Sequence, residues 1–66
     1  MSIGEQLRME RLKRRISAKE MSETLLISRP TLWRIENGKQ EVDEMYLKRY
    51  AGIFNCELKI IFEPKN

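Results

Sequence analysis

One stretch limits this chain more than any other. Ser28-Arg29-Pro30-Thr31-Leu32-Trp33-Arg34-Ile35-Glu36-Asn37-Gly38-Lys39 carries both a start and a stop signal for a short helix. The Ser28 hydroxyl can accept from a free amide one turn on, which makes it a good N-cap. Pro30 falls in the first turn, where its missing N–H is no loss. Gly38 tolerates the positive φ that follows a last turn, and Lys39 lies near the negative end of the helix dipole. Within the helix the pattern is lopsided. Leu32, Ile35 and the flanking Ile27 fall on one side, whereas Arg29, Pro30, Trp33, Arg34 and Asn37 fall together on the other. A face with two arginines, a tryptophan and an amide, and no acid among them, is built to touch something. Double-stranded nucleic acid suits it, because one helix fits the major groove and arginine reads guanine edges there.

The flanking sequence supplies elements to hold that helix. Ser2-Ile3-Gly4-Glu5 is a capping-box pattern and predicts a helix to about Arg15, with Ile3, Leu7 and Ile16 on its buried side. Met9 and Leu12 lie off that line, and periodicity does not assign them. Lys13-Arg14-Arg15 puts cations where the dipole favours them. They are also free to reach phosphates, and a solvated helix end accounts for them equally well. Ser17-Ala18-Lys19-Glu20 is a second capping box, opening a helix from about Ala18 to Leu25. Met21 and Leu25 are its buried pair, with small Ser22 between them where another helix can come close. Leu26-Ile27 breaks it before Ser28. Two helices of about eight residues joined by a three- or four-residue turn make a helix-turn-helix unit. After a polar link from Lys39 to Val42, Asp43 caps a fourth helix, about Glu44 to Phe54. Leu47, Tyr50, Ala51 and Phe54 form its stripe, and Asn55 suits a left-handed residue after its end.

The tail changes period. In Glu57-Leu58-Lys59-Ile60-Ile61-Phe62-Glu63, apolar Leu58, Ile60 and Phe62 alternate with Lys59, Ile61 and Glu63, and Pro64 ends the run. This predicts one β-strand. The expected fold class is therefore mainly α, four helices with one C-terminal strand. Residues 1–55 form the helical domain and residues 56–66 the strand and tail.

Composition narrows the function classes. A chain of 66 residues buries a modest core. It has one cysteine, Cys56, and no histidine, so neither an internal disulfide nor a cysteine/histidine zinc site can be assembled. Oligomerisation is the stabilising device left open. A lone thiol fits a reducing cytoplasm. No apolar run reaches membrane-spanning length, and the first five residues do not read as a signal peptide. Residues 1–39 hold nine Lys/Arg against five Glu, a net of +4, and residues 40–66 hold four against five acids, a net of −1. The basic part coincides with the contact helix and what precedes it. Charge alone leaves nucleic-acid binding and solvated helix faces equally open. Without a histidine, a Gly-rich phosphate loop or a nucleophile spaced from a base, no enzyme, cofactor or metal site is expected.

Ser17 through Lys39 resembles the helix-turn-helix of the Cro/phage-repressor (Xre) family of prokaryotic DNA-binding proteins. The similarity runs from about Ile3 to Phe54. Ile27-Ser28-Arg29, Arg34-Ile35-Glu36 and Asn37-Gly38-Lys39 carry most of it. The resemblance implies a base-reading face at Arg29, Pro30, Trp33 and Arg34. It implies backbone contacts at Ser17, Lys19, Ser28, Thr31, Asn37 and Lys39. It also implies an ion pair between Arg11 and Glu36, in which Glu36 orients the helix and does no chemistry. Three residues depart from the family's pattern. Ala18 stands where a phosphate-touching glutamine is usual. Leu26 replaces a turn glycine, which leaves the turn's left-handed geometry open because a leucine at positive φ costs energy. Glu10 stands where an apolar residue is frequent.

The strand has its own implication. A C-terminal strand that pairs across a two-fold axis is similar to the HipB-type antitoxins, which repress their own operon and bind a kinase toxin. A stand-alone repressor or a restriction-modification controller fits nearly as well. Leu58, Ile60, Ile61 and Phe62 would then form a homodimer interface, setting two recognition helices roughly 34 Å apart, or a multiple, on an inverted-repeat operator. The expected partners are double-stranded DNA and a second copy of the chain, with a toxin or other protein as a further candidate, and no membrane. The rival is a protein-interaction module on the same fold with little DNA binding of its own.

Overall fold

The computed structural model describes residues 2–57. The expected strand, with Leu58, Ile60, Ile61 and Phe62, lies outside them. Four helices follow in order: α1 (Ile3–Lys13), α2 (Ala18–Leu25), α3 (Arg29–Glu36) and α4 (Glu44–Ile53). Each begins on a side-chain cap. Ser2, Ser17, Ser28 and Asp43 accept from the amides of Glu5, Glu20, Thr31 and Tyr46. These contacts satisfy donors that a helix start leaves without an intrahelical partner. At α1 the box is reciprocal, since the Ser2 amide also donates to Glu5 Oε1 at 3.3 Å. The Ser2 hydroxyl and amide hold the Glu5 carboxyl below the usual carboxylate range. At α2 the cap is the Ser17 half alone: its hydroxyl accepts from Glu20 at 3.0 Å.

α3 is the middle of the molecule. It packs on α1 and on α2, and α2 in turn packs on α4. Met21, Leu25, Leu32 and Tyr50 form the core, with Leu7, Ile16, Ile27, Ile53 and Phe54 against it. Burial of Met21, Leu25 and Leu32 contributes about 1.5–3 kcal/mol each.

α1 departs from expectation. Its buried positions are Gly4 and Arg11, with Leu7 half-buried between them, whereas Ile3 is 55% exposed. The reason is steric. A Cβ on Gly4 would lie 1.7 Å from the Ile35 carbonyl oxygen, so α1 turns its glycine toward α3 and swings Ile3 outward. The helix also stops at Lys13, earlier than expected, because Arg14 caps it and Arg15 takes a left-handed φ of 56°. Met9 and Leu12 are exposed.

Leu26 settles the turn in favour of left-handed geometry. It caps α2 at φ 59°, ψ 44°, and its side chain is 83% exposed. The conformation costs about 1–2 kcal/mol for a residue with a Cβ. Its context holds it there: the Leu26 and Ile27 amides donate back to the carbonyls of Glu23 and Ser22, and Arg49 from α4 donates to the Leu25 carbonyl at 3.1 Å. The end of α2 is thus closed by backbone and by a cation near its negative pole. Gly38 and Asn55 take the positive φ expected of them, 70° and 54°.

Candidate nucleic-acid interface

The outer surface of α3 carries Arg29, Pro30, Trp33 and Arg34, all exposed, with Trp33 58% accessible. Leu32, Ile35 and Glu36 are buried. The helix's one acid therefore points inward, and its solvent side is without negative charge.

The exposed arc has two flanks. On one, Arg34 is drawn along the helix: its Nε donates to Gln40 Oε1 at 3.2 Å and its Nη2 to Thr31 Oγ1 at 3.1 Å. Thr31 Oγ1 also accepts from Ser28 Oγ at 2.9 Å. Ser28, Thr31, Arg34 and Gln40 form one chain of polar groups, which pre-orders the guanidinium without neutralising it. On the other flank, Arg29, Pro30, Trp33 and Asn37 border a groove of about 470 Å³ between α3 and α1, closed by Arg8 and by Ala18 at the start of α2. Asn37 Nδ2 donates to the Trp33 carbonyl at 2.8 Å, which ties off one of the last carbonyls of α3.

Three other residues expected at a DNA backbone lie outside α3. Ser17 and Lys19 are exposed at the start of α2, and Lys39 is exposed just beyond α3. Of the basic run that ends α1, Arg14 is engaged elsewhere. Its guanidinium lies 4.4 Å over the Phe54 ring and donates to the Glu10 carbonyl at 2.9 Å. Lys13 pairs with Glu10 at 3.2 Å. These contacts place Glu10 and its two cations at the back of α1, which explains how an acid is accommodated there.

Beneath the surface, a polar network fixes α3. Arg11 Nη2 and Glu36 Oε1 are 2.8 Å apart, with both side chains almost wholly buried. Arg11 Nε donates to both Glu36 oxygens at 3.0 Å, and Nη1 donates to the Ile16 carbonyl at 2.7 Å. Tyr50 completes the set, its hydroxyl donating to Glu36 Oε2 at 2.8 Å. Burial, then the bond to Glu36, push the Tyr50 phenol far above its ordinary range. Among the described residues, no buried side-chain polar atom lacks a partner. Sequence reasoning placed Tyr50 in an apolar stripe and missed its hydroxyl. A tyrosine among aliphatic neighbours, rather than a phenylalanine, was the available signal. Arg8, Gln40 and the close approach at Gly4 were also missed.

Two short helices at a left-handed turn, the second exposed and basic, define a helix-turn-helix DNA-binding protein. The family model described as Helix-turn-helix matches residues 7–61, and the chain belongs to that family, the Cro/C1-type DNA-binding regulators. No curated protein and no solved structure matches the chain. Among the described residues, no helix is long and apolar enough to cross a membrane.

Proposed function

We propose that this regulator binds double-stranded DNA sequence-specifically, as a homodimeric repressor that lays α3 in the major groove of each half of an inverted repeat. The observation that carries the reading is the outer face of α3. It presents Arg29, Pro30, Trp33 and Arg34 to solvent while its acid, Glu36, is buried on Arg11. Arg29 and Arg34 are assigned to guanine edges or phosphates, and Trp33 to apolar contact with a thymine methyl or sugar. Ser17, Lys19, Ser28, Thr31, Asn37 and Lys39 are assigned to the backbone. The dimer rests on the alternation of Leu58, Ile60 and Phe62, which suits antiparallel self-pairing about a two-fold axis.

Selection of bound sequences from a random duplex pool tests the whole reading. An inverted repeat is the expected product; recovery of no preferred sequence would reject it. On the recovered site, Arg34→Ala is expected to cost about 1–3 kcal/mol and to relax preference at one base pair per half-site. Sedimentation of the full chain and of one ending at Asn55 tests the dimer. A dimer is expected for the first, and for the second a monomer with weaker operator binding. Neutralisation of a toxin by the same chain is compatible with this reading and would appear as a stable complex with the product of a neighbouring gene.

A further inference from the structure

We propose that Arg8 of α1, together with Arg29, makes the groove beside Trp33 a seat for a DNA phosphate, so that α1 as well as the helix-turn-helix grips the duplex. The inference deepens the DNA-binding reading and rests on it.

The placement of Arg8 follows from the packing of α1. Gly4 touches the backbone of α3 at Ile35, and Arg11 reaches Glu36. Arg8 is four residues after the first and three before the second, so it shares the stripe of α1 that faces α3. It is exposed at the edge of that contact, where it borders the groove with Ala18, Arg29, Trp33 and Asn37.

The groove that Arg8 shares with Arg29 has one acid in its lining, Glu36, and both of its oxygens are taken by Arg11 and Tyr50. Glu5 is a charged carboxylate beside Arg8, but it borders a separate recess that Arg29 does not line. Among the described residues, the ion pairs are Arg11–Glu36, Lys13–Glu10, Arg14–Glu10 and Lys48–Glu44, and neither Arg8 nor Arg29 enters one. Arg11, though it lines the same groove, is neutralised in place. Two unpaired guanidiniums thus flank a recess whose wall at α2 is a methyl group, Ala18, with the open indole of Trp33 alongside. Guanidinium groups present forked donors that match phosphate oxygens, and they do so without reading sequence. In this reading, seating α3 in the major groove brings the recess against a phosphate of the strand that borders it.

The test uses the full chain, Arg8→Gln and Arg34→Ala on a random-sequence duplex and on the selected site, across a range of salt. Arg8→Gln is expected to weaken both duplexes equally and to lower the slope of log affinity against log salt by about 0.9, which is roughly eightfold at 0.1 M salt. Arg34→Ala should change preference among sequences instead. A melting curve identical to that of the parent chain checks that Arg8→Gln is folded, as its exposure leads one to expect. If Arg8→Gln keeps the parent's affinity and salt slope while Arg34→Ala loses binding, the phosphate seat is wrong and the DNA reading stands. If Arg8→Gln loses preference at one base pair, Arg8 reads a base and the seat is again wrong. If the parent chain binds neither duplex, the DNA reading itself fails and takes the seat with it.

Discussion

The recognition helix α3 is held from two sides by different physics. Toward α2 the contact is apolar: Leu32 meets Met21 and Leu25 in the core, with the ring of Tyr50 from α4 against them. Toward α1 it is polar and close, with Gly4 against the Ile35 backbone and the Arg11 guanidinium locked on the Glu36 carboxylate, which the Tyr50 phenol from α4 also bonds. Apolar packing is non-directional and tolerates swaps of similar volume. A bonded guanidinium–carboxylate pair has fixed geometry. The core therefore makes α3 dock, whereas the polar side sets how far along and how rotated it docks. Base reading needs the second as much as the first, since side chains must meet base edges within hydrogen-bond reach.

The largest expected effect breaks the polar side alone. Glu36→Ala leaves Arg11 buried without its partner, at a cost of about 3–5 kcal/mol, comparable to Leu25→Ala at about 2–5 kcal/mol. Urea denaturation of the two variants checks the parity. The comparison sharpens with Arg11→Met combined with Glu36→Leu. That pair is expected to return stability to within about 1 kcal/mol of the parent or better, but with weaker operator binding because the fixed register is gone. Full operator affinity in a stable double variant would show that apolar packing alone positions α3.

Glycine tests the same contrast with one substitution at two places. Gly4→Ala must push α1 off α3 by more than a side chain can absorb, at a cost of about 3 kcal/mol or more. Gly52 in α4 has nothing within 4 Å of an added Cβ. Gly52→Ala is expected to stabilise by about 0.5–1 kcal/mol through helix propensity alone. Equal and small shifts in the two thermal melts would mean that the α1–α3 contact is looser than the geometry shows.

Tyr50→Phe keeps the core side and removes one polar contact. Loss of a hydrogen bond to a charged group is expected to cost about 1.5–3 kcal/mol at neutral pH. The phenol's folded pKa is raised, so its contribution is fully present below the unfolded value of about 10 and is lost as pH rises from there through the folded value. The gap between parent and variant should therefore narrow above that pH. A gap that stays constant to higher pH would mean that the proton on Tyr50 does not matter to folding.

Local signals explain why so much of the frame was legible in the chain. Three serines and an aspartate at the helix starts, and Gly38 and Asn55 after the ends, act within one turn of themselves. Four helices could be placed to within a residue or two on that basis, and the exposed basic arc of α3 followed from its spacing. The period of α1 misled at Ile3, which is exposed, whereas Leu7 and Ile16 pack against the core as expected; the helix's buried positions are a glycine and an arginine.

What the sequence determined by itself was where the helices begin and stop, and which side of α3 is without acid. Those properties depend on neighbours one to four residues apart. Tertiary structure alone decided that Leu26 takes the left-handed turn, that Gly4 is a contact point, that Tyr50 closes the Arg11–Glu36 pair, and that Arg8 stands beside Trp33. Each depends on groups brought together from distant parts of the chain. A residue's own type and its near neighbours do not say which distant group will arrive, because that is fixed by the packing of whole helices.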